Sequence, residues 1–296
     1  MRSLIATEAL RRDAVAVEDA LPSFLPQADP RAGDLAAAIR HSLEGGKRLR
    51  GVLVLRSAAT FGLEPTTVLP SACAFEMLHA ATLIHDDLPC IDDSDLRRGW
   101  PSCHVAFDEY TALLAGDALI IGAFEALAKQ AESVEAARVV RVIREFAEFT
   151  GAAGLIGGEQ ADILGESMAP DADLLRFIHV NKTAKLICAA CRTGAILAGA
   201  PADPLGAISD YGMALGMLFQ VTDDILDVVG DEATLGKPTG ADAAAGKQTY
   251  PAAVGLEGAR AEARRLAEDA SQAAERLPAE VEFWRSLAAL VVTRER

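Results

Sequence analysis

The 296-residue sequence has few aromatic residues, little basic charge and no long uninterrupted apolar segment. Aromatic residues make up only 5% of the chain while Ala and Leu are abundant, a composition that favours closely packed helices over strands. The formal net charge of −15 argues against a general nucleic-acid-binding or anionic-membrane-binding protein. The longest uncharged segment, residues 211–222, is shorter than the roughly 20 residues that cross a bilayer, so no transmembrane segment is expected.

Cysteine is also scarce, and its pattern excludes a disulfide framework. The five cysteines are odd in number and irregularly spaced, so we predict reduced thiols and a cytoplasmic protein. Cys188 and Cys191 form a lone CAAC without a second pair or a flanking His, and we interpret them as small core residues of a helix. The N-terminus has early acids and no continuous apolar stretch, so no secretory signal is expected.

Prolines divide the chain into long helical segments. Between them, apolar residues recur every three or four positions, which is the period of a helix. Asp171 or Asp173 can cap a helix that ends at Gly199, and Asp34 can cap an earlier one. Because no window alternates as a strand would, we predict an all-α chain without a sheet, with residues 1–296 forming one domain; two small domains are the alternative.

The first acidic motif, residues 86–92, follows a long apolar helical pattern. Its outer aspartates, Asp86 and Asp92, would lie about 240° apart on a regular helix and therefore on different faces. Pro89 removes this obstacle because it disrupts the helix and lets the chain turn Asp92 back toward Asp86. The motif is therefore a candidate metal site, and a solvated acidic helix end is the alternative.

The second acidic motif, residues 223–227, contains Asp223 and Asp227 at a spacing that places both on one helical face. Two such carboxylates repel each other unless a cation lies between them. Oxygen ligands without His or Cys select hard ions, so we expect Mg²⁺, or else Mn²⁺, shared with substrate phosphates. Asp87 and Asp224, the inner aspartates of the two motifs, can act either as ligands or as hydrogen-bonding support for the ligands.

Several of the few basic residues lie near these motifs or in other segments suited to an anion. Lys47 and Arg50 follow two glycines at the predicted end of a helix, where they can bind a phosphate or complement the helix dipole. Arg97 and Arg98 follow the first acidic motif and can bind an anion or balance its charge. Lys182 lies in an apolar helical segment and needs either a partner such as a diphosphate or a path to solvent.

Three further residues are candidates for contact with an anion. Lys237 and Lys247 lie in the Gly- and Thr-rich segment 230–251, which we predict to be the longest loop. A closing loop of this kind can carry lysines to a phosphate. His79 lies on the predicted helix before the first acidic motif, where it can contact a phosphate or be a hydrogen-bonded core histidine.

In this order, the motifs resemble those of the trans-isoprenyl diphosphate synthases, in particular the bacterial and plant farnesyl and geranylgeranyl diphosphate synthases. The matching segments are GGKRLR (45–50), LIHDDLPCIDDSDLRRG (83–99), LAGDAL (114–119), NKTAKL (181–186), FQVTDDILDVVGD (219–231) and GKQTYP (246–251). The resemblance implies an all-α isoprenoid-synthase fold, with helices around a deep cavity and the acidic motifs facing each other at its mouth. It also implies a homodimer.

The resemblance further implies roles for the matching positions. The implied ligands of a three-Mg²⁺ cluster are Asp86, Asp92, Asp223 and Asp227. The implied isopentenyl diphosphate site comprises Gly46, Lys47, Arg50, His79 and Arg98. The implied allylic diphosphate site comprises Arg97, Lys182, Thr183, Gln220, Lys237 and Lys247. The catalytic residues among these are expected to be Asp86, Asp92, Arg97, Lys182, Asp223 and Lys237.

The implied reaction joins isopentenyl diphosphate to an allylic diphosphate, namely dimethylallyl, geranyl or farnesyl diphosphate. Metal ions, Arg97 and the lysines would stabilise the departing diphosphate, which is the main catalytic contribution. The Lys182–Thr183 backbone and the Gln220 side chain would present oxygens to the allylic cation. No protein base is evident, so the departed pyrophosphate is the implied proton acceptor.

Product length is expected to depend on the floor of the cavity. Ala81, Leu78 and Phe75 precede Asp86 at intervals that keep them roughly on one helical face. Farnesyl synthases of the kind this chain resembles often carry an aromatic residue where Ala81 stands. We therefore predict a deeper cavity that Leu78 or Phe75 closes, and a geranylgeranyl (C20) product. Farnesyl diphosphate (C15) is the alternative, in which Ala81 is ordinary helix packing.

Two features depart from the family pattern. The family commonly shows Gly-Gly-Gln followed by an Asp, whereas Glu159 stands in the place of the Gln and Gln160 is offset by one. The C-terminal VVTRER is a loose match. Glu159 suggests a non-catalytic partner subunit, but both acidic motifs are intact. A class I terpene cyclase would lack Lys47, Arg50 and Arg98, and a metal-binding structural protein would not need these basic residues.

Overall fold

The computed structural model describes residues 2–169, 171–229 and 247–293, and this part of the chain is almost entirely helical, as predicted. Short 3₁₀ helices cover Leu21–Ser23, Pro30–Ala32, Pro65–Val68 and Gln130–Glu132. A π-helical segment covers His179–Ala184. The α-helices are α1 (Arg2–Ala20), α2 (Leu35–His41), α3 (Leu49–Thr60), α4 (Leu69–Asp86), α5 (Cys103–Ala106), α6 (Glu109–Lys129), α7 (Ala136–Thr150), α8 (Leu155–Gly165), α9 (Ala172–Ile178), α10 (Lys185–Ala198), α11 (Ala202–Val229), α12 (Tyr250–Ala274) and α13 (Val281–Val292).

A small antiparallel hairpin corrects the prediction that the chain has no sheet. Strand β1 (Leu96–Arg97) pairs with β2 (Trp100–Pro101) across the two-residue turn formed by Arg98 and Gly99. Both turn residues have positive φ, 55° and 81°, as the type I′ turns that close tight hairpins require. Strands of two residues are too short to show the alternation by which a sheet is recognised in a sequence.

The inner helices bring the predicted motifs together. Helix α4 packs against α3 and α6, α10 packs against α3 and α11, and α11 packs against α12. The contact between α3 and α10 depends on Gly194, where a Cβ atom would lie 2.2 Å from the Val54 carbonyl oxygen. Small residues therefore let the helix backbones approach closely, which explains why this composition folds into tightly packed helices.

The predicted helix caps are largely confirmed. Asp171 accepts hydrogen bonds from the backbone N–H groups of Asp173, at 2.8 Å, and Leu174, at 3.2 Å, and so caps α9. Gly199, with φ of 79°, ends α10. Asp34 precedes α2, but its backbone carbonyl rather than its side chain accepts the first helical N–H groups.

Two helices are long and apolar enough to cross a membrane by length and hydropathy alone, Pro65–Asp86 and Glu109–Glu132. In the first, 67% of the apolar window is buried against other helices, so core packing accounts for its composition. In the second, only 50% is buried, and apolar side chains line the exposed side of α6.

The five cysteines are free thiols, as predicted. Cys188 and Cys191 are buried on α10, and burial raises the pKa of the Cys188 thiol to about 12. Both are therefore inert core residues, in agreement with the interpretation of the CAAC sequence.

Candidate active site

The first acidic motif lies where α4 ends. Asp86 is the last residue of α4, and the backbone N–H of Asp92 donates to the Asp86 carbonyl oxygen at 2.9 Å. Asp93 completes the turn with φ of 47°. The prediction that the chain turns after Pro89 and returns Asp92 to Asp86 is therefore confirmed.

The inner aspartate of this motif, Asp87, is buried and bound by Arg97. The Arg97 Nε lies 3.1 Å from both Asp87 carboxylate oxygens, and its Nη2 also donates to Asp87. Of the two roles that the sequence left open for Asp87, the geometry favours support, because the carboxylate fixes the position of Arg97.

The second acidic motif lies on α11, and like the first it contains an inner aspartate that is buried and hydrogen-bonded. Asp223 is exposed, whereas Asp224 and Asp227 are buried. Asp224 accepts hydrogen bonds from Gln220 Nε2 at 3.1 Å and from the Tyr250 backbone N–H at 2.8 Å. Asp224 therefore ties α11 to the start of α12, and Asp223 is the member of the motif that faces open space.

A basic cavity of about 530 Å³ lies between the loop before α3 and helices α4, α10 and α11. A Cβ atom on Gly46 would come within 2.4 Å of Arg48 Nη1 and 3.1 Å of Arg98 Nη1, so glycine lets two guanidinium groups gather beside this cavity. Four residues predicted for isopentenyl diphosphate line it together: Lys47, Arg50, His79 and Arg98.

Burial and like charges make the basic cavity suited to an anion. Burial lowers the pKa of the Arg50 guanidinium, Glu76 opposes this effect, and Arg98 adds to it. Burial, then Arg50 and Arg98, hold the pKa of His79 well below its usual value, so His79 is neutral. Cations that have lost hydration and lie close together gain most from a bound anion.

A second, acidic-flanked cavity of about 220 Å³ lies between α8, the π-helical segment, α11 and the start of α12. It contains four residues predicted for the allylic diphosphate: Lys182, Thr183, Gln220 and Lys247. Lys247 Nζ also donates to Asp92 Oδ1 at 3.1 Å, which links this cavity to the first acidic motif. Arg97 instead lines a recess of about 40 Å³ with Asp87, and Lys237 lies outside the described residues.

The two cavities adjoin, because Thr183 and Asp223 line both of them. The Thr183 hydroxyl donates to Gln220 Oε1 at 2.9 Å, and Gln220 in turn donates to Asp224. This chain of hydrogen bonds orients the Gln220 amide oxygen toward Thr183 at the boundary between the cavities.

Lys182 has two carboxylate partners that the sequence analysis did not predict. Its Nζ lies 2.7 Å from Asp162 Oδ2 and 2.8 Å from Glu159 Oε2, both on α8. Gly158 makes this possible, since a Cβ atom there would come within 2.4 Å of the Lys182 backbone nitrogen. The lysine therefore does not need a snorkelling path to solvent.

Negative charge is concentrated where α8 meets the first acidic motif. Burial raises the pKa of Asp86 to about 7, and Glu159 is the charged neighbour that raises it most. Burial lowers the pKa of Lys182, but Asp162 and Glu159 outweigh this effect and raise it. The lysine is therefore charged, and the surplus of carboxylates calls for further cations.

Two functional candidates were missed in the sequence. Glu76 is buried on α4, lines the basic cavity and accepts a hydrogen bond from the Gly51 backbone N–H at 2.8 Å. An acid inside an apolar helical pattern was the available signal. His179 is buried beside Asp224, and burial followed by Lys182 lowers its pKa to about 3. No spacing signalled His179, because it lies in the π-helical segment.

The donor set fits Mg²⁺ rather than a closed transition-metal site. Among residues 2–169, 171–229 and 247–293, no three His, Cys, Asp or Glu side chains converge into a ready-made metal site. The available donors, Asp86, Asp92 and Asp223, are carboxylates, of which Asp86 and Asp92 are partly buried and Asp223 is exposed. Mg²⁺ keeps several waters and binds through one or two carboxylates plus substrate phosphates, so these residues fit it.

The residues predicted to set product length are all buried on α4. Ala81 and Phe75 have no exposed surface, and Leu78 is 5% exposed. The Phe75 ring packs edge-on against Phe146 of α7 at 5.1 Å, and Phe146 packs in the same way against Phe124 of α6 at 5.3 Å. Phe75 is therefore held in an aromatic cluster, whereas Ala81 offers no bulk.

The helices surround two adjoining cavities, one basic and one flanked by carboxylates, and this arrangement suits an all-α enzyme that acts on diphosphates. The polyprenyl synthetase family model matches residues 33–284, and the chain belongs to this family. The family resemblance seen in the motifs is thus confirmed.

Known relatives make the class more specific. The chain is 47% identical over 238 residues to farnesyl diphosphate synthase of Escherichia coli, which covers 80% of each chain. It is 42% identical over 266 residues to geranylgeranyl pyrophosphate synthase 12 of Arabidopsis thaliana, covering 88% of this chain and 73% of that protein. The chain is therefore a trans-prenyltransferase of the short-chain prenyl diphosphate synthase type, and the two names leave its product length open.

A solved structure agrees with this fold. The geranyltransferase of Helicobacter pylori, complexed with magnesium and isoprenyl diphosphate, matches with a TM-score of 0.83 and 31% identity over 95% of this chain and 94% of that one. The all-α isoprenoid-synthase fold is confirmed, and magnesium is typical of the family.

Proposed function

We propose that this chain condenses isopentenyl diphosphate with dimethylallyl, geranyl and farnesyl diphosphates to give geranylgeranyl diphosphate, with farnesyl diphosphate as the alternative product. The observation that carries the proposal is the pair of adjoining cavities that share Thr183 and Asp223. Two diphosphates bound in them would meet at this shared wall. A protein that only cyclised one prenyl diphosphate would have no use for the basic cavity.

In this proposal the basic cavity binds isopentenyl diphosphate and the acidic-flanked cavity binds the allylic diphosphate. Three Mg²⁺ ions, or Mn²⁺ in their place, would be held by Asp86, Asp92 and Asp223, whereas Asp227 is buried on the same helix and would support the ligands from behind. When bound, these ions supply positive charge to the departing diphosphate. The position of Lys247 beside Asp92, at 3.1 Å, supports a shared role in that charge stabilisation.

The protein residues contribute position and electrostatics to the reaction. Lys182 keeps its proton because two carboxylates raise its pKa, so it carries the positive charge that the allylic diphosphate would meet. The Gln220 amide oxygen is oriented by its contacts with Asp224 and Thr183, and it supports a nearby allylic cation by charge–dipole attraction. Proton loss is assigned to the departed pyrophosphate, as the resemblance implies.

The C20 product rests on the small residue at Ala81. On α4, three residues advance the helix by about 4.5 Å, which is close to one extended isoprene unit with its four backbone carbons. A cavity that is open at Ala81 and closed one turn lower, at Leu78, would therefore hold one more C5 unit than a cavity blocked at Ala81. The rigid packing of Phe75 against Phe146, at 5.1 Å, supports a fixed floor below Leu78.

The Ala81→Tyr variant is expected to shorten the product from C20 to C15. The tyrosine ring would fill the space over Leu78 and stop growth one unit earlier. The measurement is product sizing after dephosphorylation, with Mg²⁺, labelled isopentenyl diphosphate and each allylic starter in turn. Ala81→Ser, which remains small, is the matched control and should keep the wild-type product.

The same assay tests the proposed function as a whole. A C20 product from the wild-type protein supports the assignment, and a C15 product would retain the condensation reaction while refuting the C20 claim. If a folded wild-type protein condenses none of the three starters, the proposed reaction is wrong and a non-catalytic partner subunit becomes the better explanation.

We also propose that the chain is a homodimer, assembled through α6. Tyr110 and Ile121 are each 70% exposed, Leu114 is 52% exposed and Leu113 is 45% exposed. Their spacing places all four on one side of the helix. A helix face of this length that is apolar apart from Asp117 suits a self-complementary contact with the same face of a second copy. We place this dimer in the cytoplasm, where five reduced cysteines are expected.

The Ile121→Glu variant is expected to convert the dimer into a monomer of 31.1 kDa. A carboxylate in the middle of an apolar contact loses hydration without gaining a partner. The measurement is light scattering coupled to size-exclusion chromatography. Val254→Glu places the same charge on a half-exposed position of α12 and should leave the mass unchanged. A wild-type protein that is monomeric at micromolar concentration would refute the assembly.

A further inference from the structure

Glu159 lies on α8 beside Lys182, which lines the acidic-flanked cavity proposed for the allylic diphosphate. Its Oε2 lies 2.8 Å from Lys182 Nζ, and Asp162 Oδ2 lies 2.7 Å from the same atom. The Glu159 and Lys182 side chains are only 15% and 24% exposed, so solvent screens this pair weakly. The ammonium group therefore donates a hydrogen bond to Asp162 and forms a close ion pair with Glu159, both on α8.

The charge balance around Lys182 opposes a free diphosphate. Asp86, Asp162 and Glu159 all lie close enough to affect the charge state of Lys182, and Asp86 is in turn affected by Asp92. Lys247 is already paired with Asp92. An incoming diphosphate would have to displace carboxylates from the lysine while it is repelled by them.

A divalent cation beside Asp86 reverses this balance. Glu159 lies 2.8 Å from Lys182 Nζ, and Asp86 is a charged neighbour of the same lysine, so a cation beside Asp86 attracts the Glu159 carboxylate as well. A doubly charged ion is a stronger counter-charge than an ammonium group at the same distance. Glu159 can then turn away from Lys182, and the ammonium charge that it neutralised becomes available to the diphosphate.

We propose that Glu159 is a positioning residue that makes diphosphate binding conditional on divalent cations, because it holds Lys182 in an ion pair until a cation lies beside Asp86. The inference rests on the proposed function, since it assumes that the diphosphate binds at Lys182. Glu159 stands where the family pattern described above has a Gln, and a neutral Gln could not hold the lysine by charge. The Glu159–Lys182 ion pair therefore arises from this chain's own departure from the family pattern.

The test is calorimetric titration of the full-length protein with inorganic pyrophosphate, once in EDTA and once in Mg²⁺. In EDTA, Glu159→Gln is expected to tighten pyrophosphate binding about tenfold relative to wild type. The released Lys182 can then form one charge-assisted hydrogen bond to pyrophosphate, which is worth about this much. In Mg²⁺ the two proteins should bind alike or the variant more weakly, so the gain from Mg²⁺ shrinks. Glu166→Gln removes the same charge from an exposed position after α8 and should behave as wild type.

The Lys182→Met variant distinguishes release of the Glu159–Lys182 ion pair from simple repulsion between Glu159 and pyrophosphate. In this background, Glu159→Gln should gain less than about threefold in EDTA, because no lysine remains to be released. A full tenfold gain in that background would overturn the inference in favour of simple charge repulsion. Equal affinity of wild type and Glu159→Gln in EDTA would also overturn it and leave the proposed function intact. Absence of pyrophosphate binding to wild type even in Mg²⁺ would overturn both.

Discussion

The Asp223→Asn variant is expected to lose about 10³-fold in kcat/KM, because it removes a carboxylate that would hold the Mg²⁺ ions whose positive charge stabilises the leaving group. Asp223 is exposed at the wall shared by the two cavities, so its charge acts on both of them. Asn keeps the size of the side chain and its exposure. The melting temperature should therefore stay close to that of wild type while activity falls.

The measurement is steady-state kinetics over a range of Mg²⁺ concentrations. If Asp223 holds a metal ion, the variant should need more Mg²⁺ for half-maximal rate as well as losing rate at saturation. Asp203→Asn, in the exposed first turn of the same helix, is the matched control and should retain activity. A variant with near-wild-type kcat/KM would remove Asp223 from the proposed catalytic residues.

The neighbouring Asp224→Asn variant should fail in a different way. Asp224 is buried and accepts hydrogen bonds from Gln220 and from the Tyr250 backbone. The Asn side chain would point its NH₂ group at either the Gln220 amide or the Tyr250 N–H, so that two hydrogen-bond donors would face each other. A mismatched buried hydrogen bond of this kind costs about 1–3 kcal/mol of stability. The comparison between Asp223 and Asp224 thus separates a loss of charge at an open position from a loss of internal support.

The Arg50→Gln variant is expected to raise the KM for isopentenyl diphosphate about 100-fold, because a desolvated, charge-assisted contact to the diphosphate is lost. Arg50 lines only the basic cavity among the two cavities described. The KM for the allylic starter should therefore change by less than about threefold, since no charge-assisted contact to that substrate is removed.

Initial rates with one substrate varied at a time distinguish the two constants. Arg40→Gln removes a guanidinium from the exposed side of α2 and serves as the control. Because Glu76 would lose a buried neighbour of opposite charge in Arg50→Gln, the melting temperature must be measured too, and Lys47→Met tests the same cavity from its loop. An equal rise in both KM values would show that the cavities are not divided between the substrates as proposed.

The helical architecture could be predicted because its signals are local. Apolar periodicity, proline positions and the Asp171 cap each depend on residues within a few turns. The return of Asp92 to Asp86 was equally predictable, because Pro89 leaves the chain few alternatives. The hairpin at Arg98 and Gly99 was missed, since its strands are too short to repeat.

The partners of Lys182 could not be predicted from local pattern. Glu159 and Asp162 lie on a different helix, and only the close approach at Gly158 brings that helix to Lys182. The π-helical segment that carries Lys182 and Thr183 is likewise imposed by packing rather than by composition. The sequence therefore indicated which residues form the site, but not which of them neutralise one another.

Because Thr183 and Asp223 line both cavities, a single ligand could bind in the two cavities at once and be selective for this protein. One molecule that carries two anionic groups could reach into both cavities, and its second group would bind at an effective concentration in the millimolar range for a short flexible linker. Affinity would then grow multiplicatively with each correctly spaced anion. The affinity of such a ligand for a protein with a single anion pocket would not increase with the second group. The length of the linker would therefore determine how selective the ligand is.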